Sequence, residues 1–296
     1  MKVTTHSGSF HADEVMACAI LKMLAEHRGE EFTVIRTRDR ETLKEAVANE
    51  QTIVIDVGGE HSVRFQNFDH HQRSFTLTRE LSNGVKYSSA GLVWGAYGKA
   101  LPGVTQKVWE IMDNGFISAI DAIDNGIEGW DSPISWIISG LNPTWQDQST
   151  DTENENFSIA VSIAMEVLKG RIASVAGDIA AEQYVNGGLF LHEGETLLLE
   201  QFVPWQKFVC TKEEFSNVKF ILFPDKCGEW RIQTVPTSED SFESRKQLPE
   251  RWAGLRDEEF SEVVLIDDGV FCHVGRFIAG TKTKESIIEL ARLANK

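Results

Sequence analysis

The sequence predicts an α/β protein: a parallel sheet with helices on both faces, followed by a smaller domain of mixed sheet and α+β character. Three observations lead there. The first third alternates β-branched runs with apolar residues at helical spacing. A long helix-compatible stretch then stops at Asn186-Gly187-Gly188, and beyond it come short strand-like runs without regular helices between them. With 296 residues the chain is longer than one ordinary domain, which sets a boundary at those glycines and gives domains of residues 1–187 and 188–296.

Taken in order, Lys2 to Thr5 is a β-prone opening, and Ala12 to His27 carries Val15, Met16, Ala19, Ile20 and Met23 at helical spacing. Phe32 to Arg36 reads as a strand, Arg40 to Asn49 as a helix and Thr52 to Val57 as a third strand. This rhythm implies parallel strands, whose carboxyl ends gather ligands. From Ser89 to about Ile127 the pattern is helical, broken at Pro102-Gly103, with Ser88 or Ser89 as a cap. A polar loop, Asn142 to Asn156, precedes a helix from Phe157 to Val185. Strand-like runs follow at Thr196 to Glu200, Val218 to Phe223, Trp230 to Val235 and Gly269 to His273. A glycine-bearing loop then leads into a closing helix, Lys284 to Ala294.

Composition excludes several classes. With 45 acidic and 29 basic residues the formal charge is −16, which disfavours a broad basic face that coats duplex nucleic acid. Between Lys107 and Lys169 there is no Lys or Arg and there are 11 acidic residues, so that stretch cannot track phosphates by charge. No apolar run reaches the ~20 residues of a membrane span, and no signal-peptide pattern opens the chain. Cys18, Cys210, Cys227 and Cys272 form neither a Cys-x-x-Cys pair nor a disulfide framework, so a cytoplasmic location is expected.

Histidine placement points to chemistry. Six of the eight histidines lie in the first 71 residues, several beside aspartates at predicted strand ends. The segment from His6 to His11, Asp13 and Glu14 closes the first strand and opens a helix; its acids could equally be first-turn residues favoured by the helix dipole. Asp56 ends a β-branched run before Gly58-Gly59, a position also suited to a turn. Asp69-His70-His71 has little use in packing, although a solvated loop would also accommodate it. Asp121 and Asp124 share one helix face at spacing i, i+3 before Asn125-Gly126, which is also a plain helix stop. Together these elements offer nitrogen and oxygen ligands, without thiolate, for two divalent ions about 3.5–4 Å apart. That geometry polarises a phosphoryl oxygen and generates a hydroxide for in-line attack.

The series His6, His11, Asp13, Asp56, Asp69-His70-His71 and Asp124 resembles the DHH phosphoesterase superfamily, and more closely the melanocyte proliferating gene exonuclease family. The closer resemblance rests on His11-Ala12-Asp13-Glu14, Phe68 to Gln72, Ser88 to Val93 and Ile120 to Gly126. In the second half it adds Trp230 to Gln233, Ser244-Arg245, Leu248-Pro249, Trp252 to Arg256 and Phe271 to Gly280. The resemblance implies a DHH-type metal domain and a substrate domain with the active site in the cleft, acting as a 3′-5′ exonuclease on RNA or short oligonucleotides. It implies two ions, Mn²⁺ first and Mg²⁺ as the alternative. His6, His11 and Asp56 would hold one ion and Asp13, Asp56, His70 and Asp124 the other, with Asp121 competing for the place of Asp124. Asp69 would orient an imidazole, and His71 would face the substrate phosphate. Compared with the wider superfamily, His11 stands where an aspartate is commoner, and the His6 to His11 spacing is one residue longer.

For substrate handling, the expected contacts are Ser89 in the first domain and Arg245, Arg256, His273, Gly275, Arg276 and Lys282 in the second, the last four on one strand-to-helix loop. The same loop also reads as a tight turn with solvated cations. A zinc deaminase is disfavoured, because His11-Ala12-Asp13 is not His-x-Glu and no Pro-Cys-x-x-Cys follows, and the His-Glu-x-x-His motif of a protease is absent. A pyrophosphatase or small-molecule phosphodiesterase remains as an alternative, as does a metal-stabilised binding protein without activity. The expected partners are the nucleic acid substrate and a second copy of the chain, with no membrane.

Overall fold

In the computed structural model, which describes residues 1–79, 84–147 and 149–296, the chain divides into two compact units, residues 1–176 and 177–296. The division falls inside one long helix, not at the glycines that end it.

The first unit is built on β1 (Lys2–Thr5), β2 (Thr33–Arg36), β3 (Thr52–Ile55), β4 (His61–Ser62) and β5 (Asn67–Phe68), in the order β2-β1-β3-β5-β4. All neighbours pair in parallel except β4, which runs antiparallel at the edge. β3 is buried along its whole length, as a continuous β-branched run in a covered sheet should be. Between the strands lie α1 (Ala12–Arg28) and α2 (Arg40–Ala48). The helical layer continues with α3 (Ser89–Tyr97), α4 (Gln106–Met112), a π-helical turn at Asp113–Ile117, α5 (Ser118–Asp124), α6 (Pro133–Ser139) and α7 (Thr150–Asn186).

α1 is apolar or small nearly all round, and Val15 to Leu21 are fully enclosed against α3, α5 and α6. It closes on Gly29 at φ 68°, a left-handed cap for which glycine carries no Cβ penalty. The polar loop expected from Asn142 to Asn156 is only partly a loop. α7 already starts at Thr150, while Asn142 and Glu153 bond to the backbone at Phe10 and Gly8, and Gln148 lies outside the described residues. Glu153 also holds Arg36 at 2.7 Å, so acids that read as solvated anchor the loop after β1.

The second unit holds β6 (Leu189–Leu191), β7 (Thr196–Leu198), α8 (Gln206–Thr211), β8 (Phe220–Pro224), β9 (Trp230–Thr234), α9 (Asp257–Val264), β10 (Gly269–Cys272), β11 (Ile278–Thr281) and α10 (Lys284–Asn295). Its six-stranded sheet, β10-β11-β9-β8-β7-β6, is mixed, with only the β7–β8 pair parallel. Strand alternation splits the core. Phe220, Leu222 and Ile232 pack with Trp252, Phe260 and Leu290, whereas Leu197, Ile221 and Phe223 pack with Val185, Val209 and Phe215. Among the described residues no helix is long and apolar enough to cross a membrane.

Candidate metal centre

The ends of β1, β3 and β5 deliver the predicted ligands to one place. His6 follows β1, Asp56 follows β3, and Asp69-His70-His71 follows β5, all at the carboxyl edge of the parallel strands. α1 adds Asp13 and Glu14 in its first turn, with His11 extended as its N-cap. α5 adds Asp124 at its last position. Asp56 takes a left-handed φ of 57°, a conformation that costs on the order of 1 kcal/mol or more for a residue with a Cβ. The sheet tolerates it because the turn aims the carboxylate between two imidazoles.

The distances define the cluster. His70 Nε2 lies 3.2 Å from Asp56 Oδ1, 3.3 Å from Asp124 Oδ2 and 3.8 Å from Asp13 Oδ2. His6 Nε2 lies 3.0 Å from Glu14 Oε1 and 3.3 Å from Asp56 Oδ2. Ligand atoms of His6, His11 and Glu14, of Asp13, His70 and Asp124, and of Asp13, Glu14 and Asp56 form groups lying within 4.8 Å of one another. Asp56 stands in contact with both imidazoles, 3.3 Å from His6 Nε2 and 3.2 Å from His70 Nε2.

Burial and neighbouring charge set the ionisation of these groups. Burial drives the Asp13 carboxyl well above the carboxylate range, and the negative charges of Asp56 and Asp124 push it the same way. Burial also raises Asp124, against the pull of His70. For Asp56 burial again acts upward, but His6 and His70 outweigh it and hold the group far below its ordinary value. Burial would lower His6, yet Asp56 and Glu14 raise it to about 10. Both oxygens of Asp13 and Nε2 of His70 are buried without a hydrogen-bond donor or acceptor of their own. A nitrogen and oxygen donor set with orphaned carboxylate oxygens fits hard or borderline divalent cations.

Surrounding groups fix these side chains. Ser89 Oγ lies 3.0 Å from Asp56 Oδ1 and 2.9 Å from the Phe68 carbonyl, so its single proton is divided between the Asp56 carboxylate and that carbonyl. Asp69 accepts from Gly59 N at 2.6 Å and from His71 N at 3.1 Å, and holds His71 Nδ1 at 2.8 Å. That bond to Asp69 raises the His71 pKa, so this exposed imidazole is disposed to carry a proton. Arg38 donates Nε to the Ser7 carbonyl at 2.7 Å and sets Nη2 3.1 Å from His6 Nδ1. The cavity over the cluster measures about 840 Å³, and Arg38, His11, His71, Ile123, Ser135 and Trp136 share its wall with the acids.

Several expectations are corrected. Asp121 does not join the cluster: its Oδ2 accepts from Arg79 Nε at 2.6 Å, and its Oδ1 accepts from Ser88 Oγ at 2.6 Å and Gly91 N at 3.0 Å. It is a fully buried ion-pair residue, and Gly91 is glycine because a Cβ there would fall on that carboxylate. Ser89, expected to touch substrate, is wholly buried beneath Asp56. Arg245, expected to touch a phosphate, spends its guanidinium on the carbonyls of Val209, Phe215, Ser216 and Val218.

The glycine-bearing loop is a hairpin, not a strand-to-helix connection. His273, Gly275 and Arg276 occupy its turn, where Gly275 N donates to His273 Nδ1 at 3.0 Å and Arg276 pairs with Gln247. β11 intervenes before exposed Lys282, so that lysine lies roughly 13 Å along the strand from the turn. Arg256 is exposed beside the Phe271 ring, 5.8 Å from its centroid.

Glu14 reads in the sequence as a first-turn acid of α1 and has no expected place among the ligands. It is fully buried, contacts His6, and accepts the His11 N–H at 2.9 and 3.0 Å. The signal was present: an acid opening a helix that is apolar all round cannot be solvated, so it must have a partner.

The family model described as Uncharacterised protein family (UPF0160), MYG1_exonuc, matches residues 2–294. The chain belongs to the MYG1 exonuclease family. MYG1 exonuclease of Homo sapiens is 34% identical over 98% of this chain and 85% of its own length. MYG1 exonuclease of Bos taurus is 34% identical over 98% of this chain and 84% of its own. The MYG1 protein YER156C of Saccharomyces cerevisiae is 32% identical over 99% and 95%. Among solved structures, RecJ from Thermus thermophilus in complex with Mn²⁺ aligns with a TM-score of 0.29 and 12% identity, covering 99% of this chain and 52% of that one, so the chain spans about half its length.

Proposed function

We propose that this MYG1 family chain is a divalent-metal-dependent phosphodiesterase that removes nucleotides from the end of RNA or a short oligonucleotide, in the 3′-to-5′ direction. The observation that carries the reading is the convergence of buried Asp13 oxygens, which have no hydrogen-bond partner, with Asp56, His70 and Asp124 beneath an open cavity. The names of the mammalian relatives support the exonuclease part.

His6, His11 and Asp56 would hold one cation, with Glu14 fixing the helix turn beside it. Asp13, Asp56, His70 and Asp124 would hold the second. Bound divalent ions, Mn²⁺ or Mg²⁺, supply a Lewis acid for the phosphoryl oxygen and lower the pKa of water. The chain's own residues do the remaining work. Ser89 keeps Asp56 from rotating, and the Ser7 carbonyl, 3.2 Å from His6 Nδ1, accepts the tautomer that leaves Nε2 free for a cation. Asp69 fixes His71 through Nδ1, which leaves its Nε2–H to donate to a phosphate oxygen. Arg38 is the only Lys or Arg among the described residues of the cavity wall. A pyrophosphatase would need a denser cationic lining to bind its more highly charged substrate. Four free cysteines agree with a reducing cytoplasm.

The test is hydrolysis of 5′-labelled short RNA by purified protein with Mn²⁺. Stepwise loss of nucleoside monophosphates from the 3′ end is expected, abolished in Asp56→Ala and His70→Ala and retained in Lys107→Ala, an exposed control. No turnover by wild type, with Asp56→Ala indistinguishable from it, would leave a binding protein instead.

A further inference from the structure

Trp136 is 76% exposed, although burying an indole is among the largest single apolar gains available to a chain. It sits on α6, whose Ile134 and Ile138 are buried one helical turn apart against the unit's core. Ser135, Trp136 and Ser139 instead line the cavity that also holds His70 and Asp124. The wall they form is uncharged, and the whole stretch from 108 to 168 lacks Lys and Arg. Cationic help for a phosphate comes from other elements. Arg38 belongs to the loop after β2, and its Nε–H is committed to the Ser7 carbonyl. His71, 63% exposed, follows β5.

The cavity therefore has two chemistries, one for an anion and one for a flat apolar face with hydroxyls beside it. We propose that Trp136 is the stacking platform for the nucleobase of the nucleotide whose phosphate lies over the Asp/His cluster, and that it makes the site select nucleotides over base-free phosphate esters. The proposal rests on the phosphodiesterase reading for the place of the phosphate, but not for the stacking itself. The Ser139 hydroxyl can both donate and accept, whereas Ser135 gives its proton to Ser132 Oγ at 2.8 Å and is left to accept, so between them they suit different base edges. A platform of this kind gives affinity without strong sequence preference.

The test is calorimetric binding of adenosine 5′-monophosphate and of ribose 5-phosphate to manganese-loaded protein, compared among wild type, Trp136→Phe and Trp136→Ala. Stacking on an aromatic ring is worth a factor of roughly 5–150 in affinity. Wild type should prefer the nucleotide by that factor, Trp136→Phe should keep part of the preference, and Trp136→Ala should lose it while ribose 5-phosphate binding stays level. Equal affinity of wild type for the two ligands would overturn the proposal, as would an undiminished preference in both variants. RNA hydrolysis without base-dependent binding would remove the platform and leave the phosphodiesterase. Base-dependent binding lost in Trp136→Ala, with no hydrolysis, would do the reverse.

Discussion

Asp13 and His6 belong to one cluster, yet their replacement should affect the metal-free protein to very different extents. Asp13 is fully buried with Glu14 and Asp56, whose ligand atoms lie within 4.8 Å. At an effective dielectric constant near 20, each like-charge pair at that distance costs about 3 kcal/mol. Burial, together with the charges of Asp56 and Asp124, pushes Asp13 toward its protonated form. Asn is close in shape and charge to a protonated Asp, so Asp13→Asn in chelator should melt within about 2 °C of wild type. His6, held at about 10, is charged at pH 7 and neutralises Asp56 and Glu14. Its raised pKa is worth about 4 kcal/mol at pH 7, so His6→Ala in chelator should melt roughly 8–16 °C lower.

Added Mn²⁺ separates the variants further. A cation present at 100 times its Kd stabilises by about 2.7 kcal/mol, or roughly 5–10 °C in melting temperature. Wild type should show that rise. Asp13→Asn should not, because the amide cannot supply the anionic oxygen. The assay is thermal melting in EDTA and in excess Mn²⁺, with metal content measured on the same samples. The reasoning is refuted if Asp13→Asn keeps the full rise, or if it falls in chelator as far as His6→Ala.

Three further outcomes are expected. In chelator, the stability that His6 contributes is fully present below pH 6.5 and is lost as pH rises through about 10, so the urea midpoint should fall across that window and lose this dependence in His6→Ala. Ser89→Ala removes the hydroxyl that anchors Asp56 and should weaken Mn²⁺ binding roughly 10–100-fold by calorimetry without unfolding the protein. Arg79→Met leaves buried Asp121 and Asp113 without their cation and should cost about 3–5 kcal/mol in urea unfolding, while the Mn²⁺ affinity of the folded protein stays near wild type.

Much of the first unit was legible because its signals are local. β1, α1, β2, α2 and β3 follow β-branched runs and helical spacing to within two residues, and the ligands fall where parallel strands end. What could not be read depends on partners distant in the chain. Asp121 and Asp124 stand one helical turn apart with the same chemistry. Arg79, 42 residues before Asp121, takes the first and leaves the second to His70. Ser89 and Arg245 looked like surface donors because a sequence does not show that Asp56 or a set of loop carbonyls lies against them. β4 and β5 are two residues each, too short to show alternation. α6 is seven residues with no polar periodicity, which hid Trp136.

The difference between Asp121 and Asp13 shows how this fold separates structure from chemistry. Both carboxylates are buried to within 1% of full enclosure. Asp121 is satisfied by a guanidinium, a hydroxyl and a backbone N–H, so the native state already meets the requirement that a buried charge be paired. Asp13 has no donor on either oxygen, and Asp56 beside it is held in a left-handed turn. Packing alone would select against such a pair, since an apolar side chain in place of Asp13 would remove the desolvation cost. A bound cation would complete the arrangement. Stability left unclaimed at Asp13, in a unit that elsewhere pairs its buried acids, is therefore the physical mark that separates a binding carboxylate from a structural one.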